Sequence, residues 1–168
     1  PLAQTFFIKK GMGQGSNTVA VSKLDLFFKR KSSSTYQSGN QAGGLNGVTV
    51  MLREVVNGYP SAAVIPFSKV HLEASDVNIS DDASVATTIE FHAPIILETE
   101  KEYAFVVMPD ANDPDYLIFT SQVGGKNLTP GSTQGQSVVQ DWGDGVLFTS
   151  TNNRAWKSYQ DEDVKFTL

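Results

Sequence analysis

The 168-residue sequence contains no cysteine and only two histidines. Without thiols there is no disulfide framework, no cysteine-based zinc site and no thiolate nucleophile. A serine or threonine nucleophile needs a base, most often histidine. His71 and His92 lie in no recognisable motif, and no G-x-S-x-G elbow is present. Carboxylates occur mostly in turns, and no pair is marked out for glycoside hydrolysis. These absences predict a protein that is not an enzyme. Basic residues are also scarce, with 13 Lys and Arg against 18 Asp and Glu and a formal net charge of −5. Nucleic acid is thereby excluded as the main partner, because phosphate binding needs concentrated cations. The one basic cluster, Lys29-Arg30-Lys31, follows an apolar run and reads as a solvated strand end. No stretch approaches the roughly 18 apolar residues that span a bilayer, and no signal-peptide pattern is present, so membrane insertion is not expected. The chain starts at Pro1 rather than Met. It reads as a single domain over 1–168, cut from a longer multidomain chain.

What the sequence does have is an apolar period close to two. Gln4 to Ile8 reads as a first strand. Val19 and Val21 share one phase while Leu24, Leu26 and Phe28 share the other, which predicts a β-bulge near Ser22-Lys23. Val48, Val50 and Leu52 alternate, and Asn57 to Ser61 reads as the turn that closes that strand. Ala86 to Phe91, a short strand Ile95 to Leu97, Tyr103 to Met108 and Tyr116 to Ser121 follow. Tyr103 to Met108 is apolar on both faces, as in a central strand. Val138-Val139 reads as a short strand, and Val146, Phe148, Val164, Phe166 and Leu168 belong to the closing ones. No segment holds a 3.6-residue period. Short strands separated by Gly, Pro, Asn and Asp turns predict an all-β fold, a jelly-roll-like antiparallel β-sandwich with little or no helix. The loops 32–47 and 124–144 are longer than most connections, which is where function tends to sit.

No cofactor motif is present, and calcium is the one ion the composition suits. "DANDPD" offers Asp110, Asn112, Asp113 and Asp115 as oxygen donors, although Pro114 and a missing glycine rule out an EF-hand. Asp81 and Asp82 form a weaker second candidate. "GMGQGS" (11–16) lacks the Lys-Ser/Thr of a phosphate loop and is followed by a strand, so it reads as a turn. Asn78-Ile79-Ser80 and Asn127-Leu128-Thr129 match the glycosylation triplet, which matters only in a secretory context. The aromatics carry the remaining signal. Most phenylalanines fall in strands and belong to the core. Trp142, Trp156, Tyr36, Tyr59 and Tyr159 fall in loops or at strand ends. An exposed indole can lie against the C–H face of a sugar while neighbouring Asp or Asn bind its hydroxyls. Trp142 with Asp141, Asp144 and Tyr36 forms the candidate glycan site. Trp156, beside Asn152, Asn153 and Arg154, reads instead as an anchor that seals the end of the fold.

Five blocks occur in order: "PLAQTFFI", "VSKLDLFFKRK", "VTVMLREVVNGYPS", "SVATTIEFHAPIILETEKEYAFVV" and "LFTSTNNRAWKSYQDEDVKFTL". Together they resemble a β-sandwich module of tailed-phage virion proteins, especially those of large myovirus-type and cyanobacterial phages. Related modules, similar to carbohydrate-binding sandwiches, occur in extracellular bacterial proteins. The resemblance spans nearly the whole chain. It implies a non-enzymatic structural or interaction role in a tail, baseplate or fibre, with localisation in the virion. The implied partners are other virion subunits, neighbouring domains or further copies in a homo-oligomer, and host-surface glycan. The alternative is a carbohydrate-binding module of an extracellular protein. No catalytic residues come with the resemblance. Its pattern places a turn glycine before the tryptophan of "NNRAW", where this chain has Asn152-Asn153. Asn tolerates the same left-handed backbone, so the turn is expected to survive.

Overall fold

Leu2 to Ile8 splits cleanly by parity. Leu2, Gln4, Phe6 and Ile8 lie on one face, and Ala3, Thr5 and Phe7 on the other, as the pleat requires. A computed structural model describes residues 1–12, 15–33, 45–140 and 142–168. In it this segment is the first of fourteen strands. They are β1 (Leu2–Ile8), β2 (Thr18–Leu26), β3 (Phe28–Arg30), β4 (Val48–Val56), β5 (Tyr59–Val64), β6 (Val70–Leu72) and β7 (Thr87–Glu98). There follow β8 (Lys101–Pro109), β9 (Leu117–Ile118), β10 (Thr120–Gln122), β11 (Leu147–Thr149), β12 (Lys157–Tyr159), β13 (Glu162–Val164) and β14 (Phe166–Thr167). The described residues contain no α-helix, only short 3₁₀ turns at Ala74–Asp76 and Asp110–Asn112.

The protein is an all-β antiparallel sandwich. One layer is a seven-stranded sheet, ordered β12-β11-β1-β8-β4-β5 with β6 also on β4. The other is β14-β2-β7, continued by the pairs β3-β9 and β10-β13. Phe119 N–H donates to Phe27 O at 2.8 Å and Lys165 N–H to Phe119 O at 3.0 Å, so residues 117–122 run between β3 and β13. Phe6, Leu52, Phe105 and Val107 from the first layer meet Leu24, Leu26, Ile89 and Leu97 from the second in one buried cluster. The predicted bulge is present. Val21 faces Ile95 but Lys23 faces Glu90, so Ser22 alone stands opposite Phe91–Pro94. This slip lets Val21 and Leu24 both point inward.

Three strand boundaries differ from the sequence reading. Asn57 and Gly58 alone form the hairpin turn, both with positive φ (51° and 79°), and the chain then continues as β5. Two left-handed residues match the twist of a tight hairpin, and Pro60 is tolerated because β5 lies at a sheet edge. Ile95–Leu97 is not a separate strand but the end of the twelve-residue β7. Tyr116–Ser121 is divided at Phe119 into β9 and β10.

The large sheet is apolar on its outer face too. Ala3, Met51, Val106 and Phe148 form a second buried cluster there, packed by Met108, Val146 and Trp156. This explains why β8, between β1 and β4, is apolar on both faces. Asn152 Oδ1 accepts from Arg154 N–H at 3.0 Å and Ala155 N–H at 2.9 Å, and Asn153 adopts φ 59°. The Asn-Asn turn therefore survives and brings Trp156 back onto the sheet. Trp156 is an anchor, but it seals this outer cluster rather than the space between the layers. Its indole is half-buried, so Trp156→Ala should cost about 2–4 kcal/mol in urea denaturation, at or just below the usual range for buried aromatics. A cost under about 1 kcal/mol would remove it from the anchoring role.

Gln4 is fully buried within the sandwich. Its Nε2 donates to Asp163 Oδ1 at 2.8 Å, and its Oε1 accepts the Val164 N–H at 2.8 Å. Gln4→Leu keeps the volume but strands the Val164 N–H and removes a donor from Asp163. The expected loss is about 2–4 kcal/mol by urea denaturation, because a buried polar group left unpaired costs about 1–3 kcal/mol. A neutral substitution would disprove the tie.

Candidate functional site

The connection from β10 to β11 (123–146) is polar and turn-rich, yet it is held at several points. Val138 N–H donates to Gly125 O and Gly124 N–H to Val138 O, both at 2.8 Å, so Val138 pairs across the loop as an irregular ladder rather than forming a strand with Val139. At the far end Thr5 N–H donates to Val146 O at 3.0 Å and Val146 N–H to Thr5 Oγ1 at 2.8 Å. Gly145 permits this approach, because a Cβ there would collide with the Thr5 carbonyl oxygen and the Trp142 ring. These contacts hold the loop at Val138 and Val146, on either side of Trp142 in the chain. The Trp142 ring stands edge-on to Phe166, with centroids 5.2 Å apart at 80°, and stays 40 % exposed.

Trp142 is a wall shared by two hollows. The larger, about 780 Å³, lies between the loop and strands β10, β13 and β14. Phe119, Phe166 and Trp142 supply its apolar lining, and Thr120, Gln122, Asn127, Thr129 and Gln136 its hydroxyls and amides. The smaller, about 660 Å³, is more apolar, with Phe6, Phe7, Met12, Val19 and Leu168. Lys165 ties the larger cleft together. Its ammonium donates to Ala83 O at 2.8 Å and Thr129 Oγ1 at 2.9 Å, and lies 4.4 Å from the Phe27 ring centroid. Burial lowers its pKa from the ordinary lysine value, partly offset by Asp82.

Of the residues predicted around Trp142, Asp144 lies two positions along the same loop but is bound to Lys9 Nζ at 2.5 Å, so its carboxylate already has a cation. Asp141 and Tyr36 fall outside the described residues. The cleft's own polar lining was missed by the sequence reading. The signal that could have found it is Lys165, a lone cation between the apolar Val164 and Phe166, at the break between β13 and β14.

The second candidate, the acidic loop, does not gather its oxygens around one point. Asp110 Oδ2 meets His71 Nε2 at 2.9 Å and the Gly47 N–H at 3.2 Å. Asp115 meets Ser33 Oγ at 2.8 Å and Arg30 at 3.3 Å. Asp113 is buried and accepts from Ser32 Oγ at 2.6 Å, Asn46 Nδ2 at 2.9 Å and the Asp115 N–H at 2.9 Å. Asn112 is exposed. Asp81 is exposed and Asp82 caps the Ser84 N–H at 3.0 Å. Among the described residues no group of three or more His, Asp or Glu is arranged to hold a metal ion. The acidic loop is a clasp that holds the residues flanking 34–44, Ser32 and Ser33 on one side and Asn46 and Gly47 on the other. His71, with Asp110 at one ring nitrogen and Glu73 at 3.8 Å from the other, faces carboxylates rather than a hydroxyl it could activate. His92 is exposed on β7.

The clasp predicts an acid response. Burial pushes the Asp113 carboxyl up, but its three hydrogen bonds outweigh this and hold it below the ordinary aspartate value. Its contribution is complete above the unfolded pKa of about 3.9 and is lost as pH falls through the lower folded value. Asp113→Asn should lower the melting temperature at pH 7 and flatten its fall below about pH 4. An acid limb identical to that of the parent protein would disprove the assignment.

No protein-family model, curated protein or solved structure matches this chain. Its function is therefore read from the chemistry of the cleft.

Proposed function

We propose that the chain is a non-enzymatic recognition module that holds a saccharide in the cleft beside Trp142. The observation that carries this reading is Trp142 itself, 40 % exposed, carried on a loop held by backbone contacts and facing a hollow lined with hydroxyl and amide side chains. A pyranose offers an apolar C–H face for an indole and hydroxyls for Thr, Asn and Gln, and the cleft supplies both kinds of partner. In the setting that the ordered sequence blocks resemble, the module sits in a phage tail, baseplate or fibre and meets a host-surface glycan. The alternative setting is an extracellular carbohydrate-binding protein.

A second reading, assembly with other virion subunits or with further copies of the chain, is favoured by one feature. Val56 at the end of β4, Tyr59 and Val64 on edge strand β5, and Phe67 in the turn after it are all exposed, Phe67 at 74 % with φ 65°. An exposed phenylalanine held in a left-handed conformation is costly unless something covers it.

Glycan-array screening followed by calorimetry separates the two. Trp142→Ala should weaken saccharide binding at least about tenfold, a loss of about 1.4 kcal/mol, while the melting temperature stays within about 5 °C of the parent. Absence of binding to any saccharide, together with a defined oligomer that Phe67→Ser dissolves, would overturn the glycan reading in favour of assembly.

A further inference from the structure

The chain carries a formal charge of −5, yet the described lining of the Trp142 cleft reverses that sign. It contains two cations, Lys126 and Lys165, and one carboxylate, Asp163. Asp163 is buried and directed back into the core, where Gln4 Nε2 donates to it at 2.8 Å. Three other acids stand beside the lining, each accepting a hydrogen bond, two of them from lining residues. Glu162 accepts from Thr120 Oγ1 at 2.5 Å, Asp161 from Gln122 Nε2 at 3.1 Å, and Asp82 from the Ser84 N–H at 3.0 Å.

Neither lysine makes a salt bridge of 4.0 Å or less among the described residues, whereas Lys9, Lys23 and Lys101 each do. Lys126 is exposed at the cleft edge, on the backbone bridge it forms with Ser137. Lys165 is half-buried and spends two of its three N–H donors on Ala83 O and Thr129 Oγ1. One donor remains, and the acid that acts on its charge, Asp82, does so from beyond salt-bridge distance. A partly desolvated cation with only neutral acceptors attracts an anion more strongly than a solvated one, because the local dielectric screens less.

We propose that the saccharide taken by this cleft is anionic, its acidic group met by Lys165 and Lys126 while the ring lies on Trp142. This rests on the reading of the cleft as a saccharide site and narrows the ligand class. The anion is a ring-borne carboxylate or sulfate. Both offer the charged oxygen acceptors that an ammonium binds with charge-assisted hydrogen bonds.

The test compares three probes by calorimetry at low and high salt: a uronic-acid oligosaccharide, its neutral methyl ester and a sulfated oligosaccharide. The carboxylate or the sulfate form should bind at least about tenfold tighter than the neutral ester, and which of them leads identifies the acidic group. That advantage should shrink toward 1 M salt, where the Debye length falls to about 3 Å, and it should fall severalfold in Lys126→Gln. Lys126 is exposed, so this variant tests charge without disturbing the loop that Lys165 pins. Trp142→Ala should weaken all three probes alike. Equal affinity for the acid and its ester would overturn the anionic preference and leave the saccharide site standing. Anion binding that Trp142→Ala does not weaken would also overturn it, as a non-specific surface effect. No binding of any probe would overturn both readings.

Discussion

The fold depends on the amide of Gln4. It sits in β1, inside the large sheet, but its hydrogen bonds go to Asp163 and Val164 at the other end of the chain. A neutral amide in the core carries a donor and an acceptor that must both be satisfied. The observed chain does so by bringing β13 to β1, so that Asp163 and the Val164 N–H meet the amide. Once β13 is fixed, Lys165 and Phe166 follow directly, and these are the residues that pin the long loop and support Trp142. The same tether therefore closes the fold and builds the cleft.

The two faces of the large sheet explain how the rest is divided. β1, β8 and β4 bury residues of both parities, so each face needs a cover. The inner face is covered by β2 and β7, whose bulge keeps inward residues in phase across a slip in register. The outer face has no second sheet in the described residues. It is covered by single side chains, among them Trp156, with the Tyr59 ring tilted against Phe148 at a centroid distance of 5.5 Å. Arg53 on β4 is buried too, with no carboxylate within salt-bridge distance among the described residues, and donates to Ser61 O at 3.3 Å. Burial lowers its pKa from the ordinary arginine value.

Most of the sandwich was legible because a half-buried strand writes its burial in every second residue. β1, β2 with its bulge, β4, β7 and β8 carry that signal over seven to twelve residues. What escaped was too short or too exposed to write it. β6 and β12 are three residues long, and β5, with Ala62, Ala63 and Val64 all exposed, is held by backbone pairing at an edge rather than by side-chain burial. The acidic loop misled for a different reason. Asp110, Asp113 and Asp115 look alike in sequence as oxygen donors, but each is consumed by a different neighbour, Gly47, Ser32 or Ser33, that lies more than sixty positions away. Local composition cannot report a partner at that distance.

The two tryptophans make the same point about function. Both fall in polar stretches with Asn or Asp nearby, a composition that suits a sugar platform, although Trp156 reads as an anchor from its place before the last strand. Their roles diverge through what the chain brings beneath them. The Asn152-Asn153 turn folds Trp156 back onto the buried cluster of Ala3, Met51, Val106 and Phe148, which half-buries the indole. Trp142 is held at Gly145 and touched edge-on by Phe166, contacts that fix the indole without covering it. A ring fixed by its edge and its backbone loses little entropy when a ligand lies on its face, whereas a free surface tryptophan must be ordered first. Trp142 therefore combines exposure with edge contacts, the two features on which the proposed saccharide site rests. The polar cleft next to it supplies hydrogen bonds that an aromatic surface alone could not.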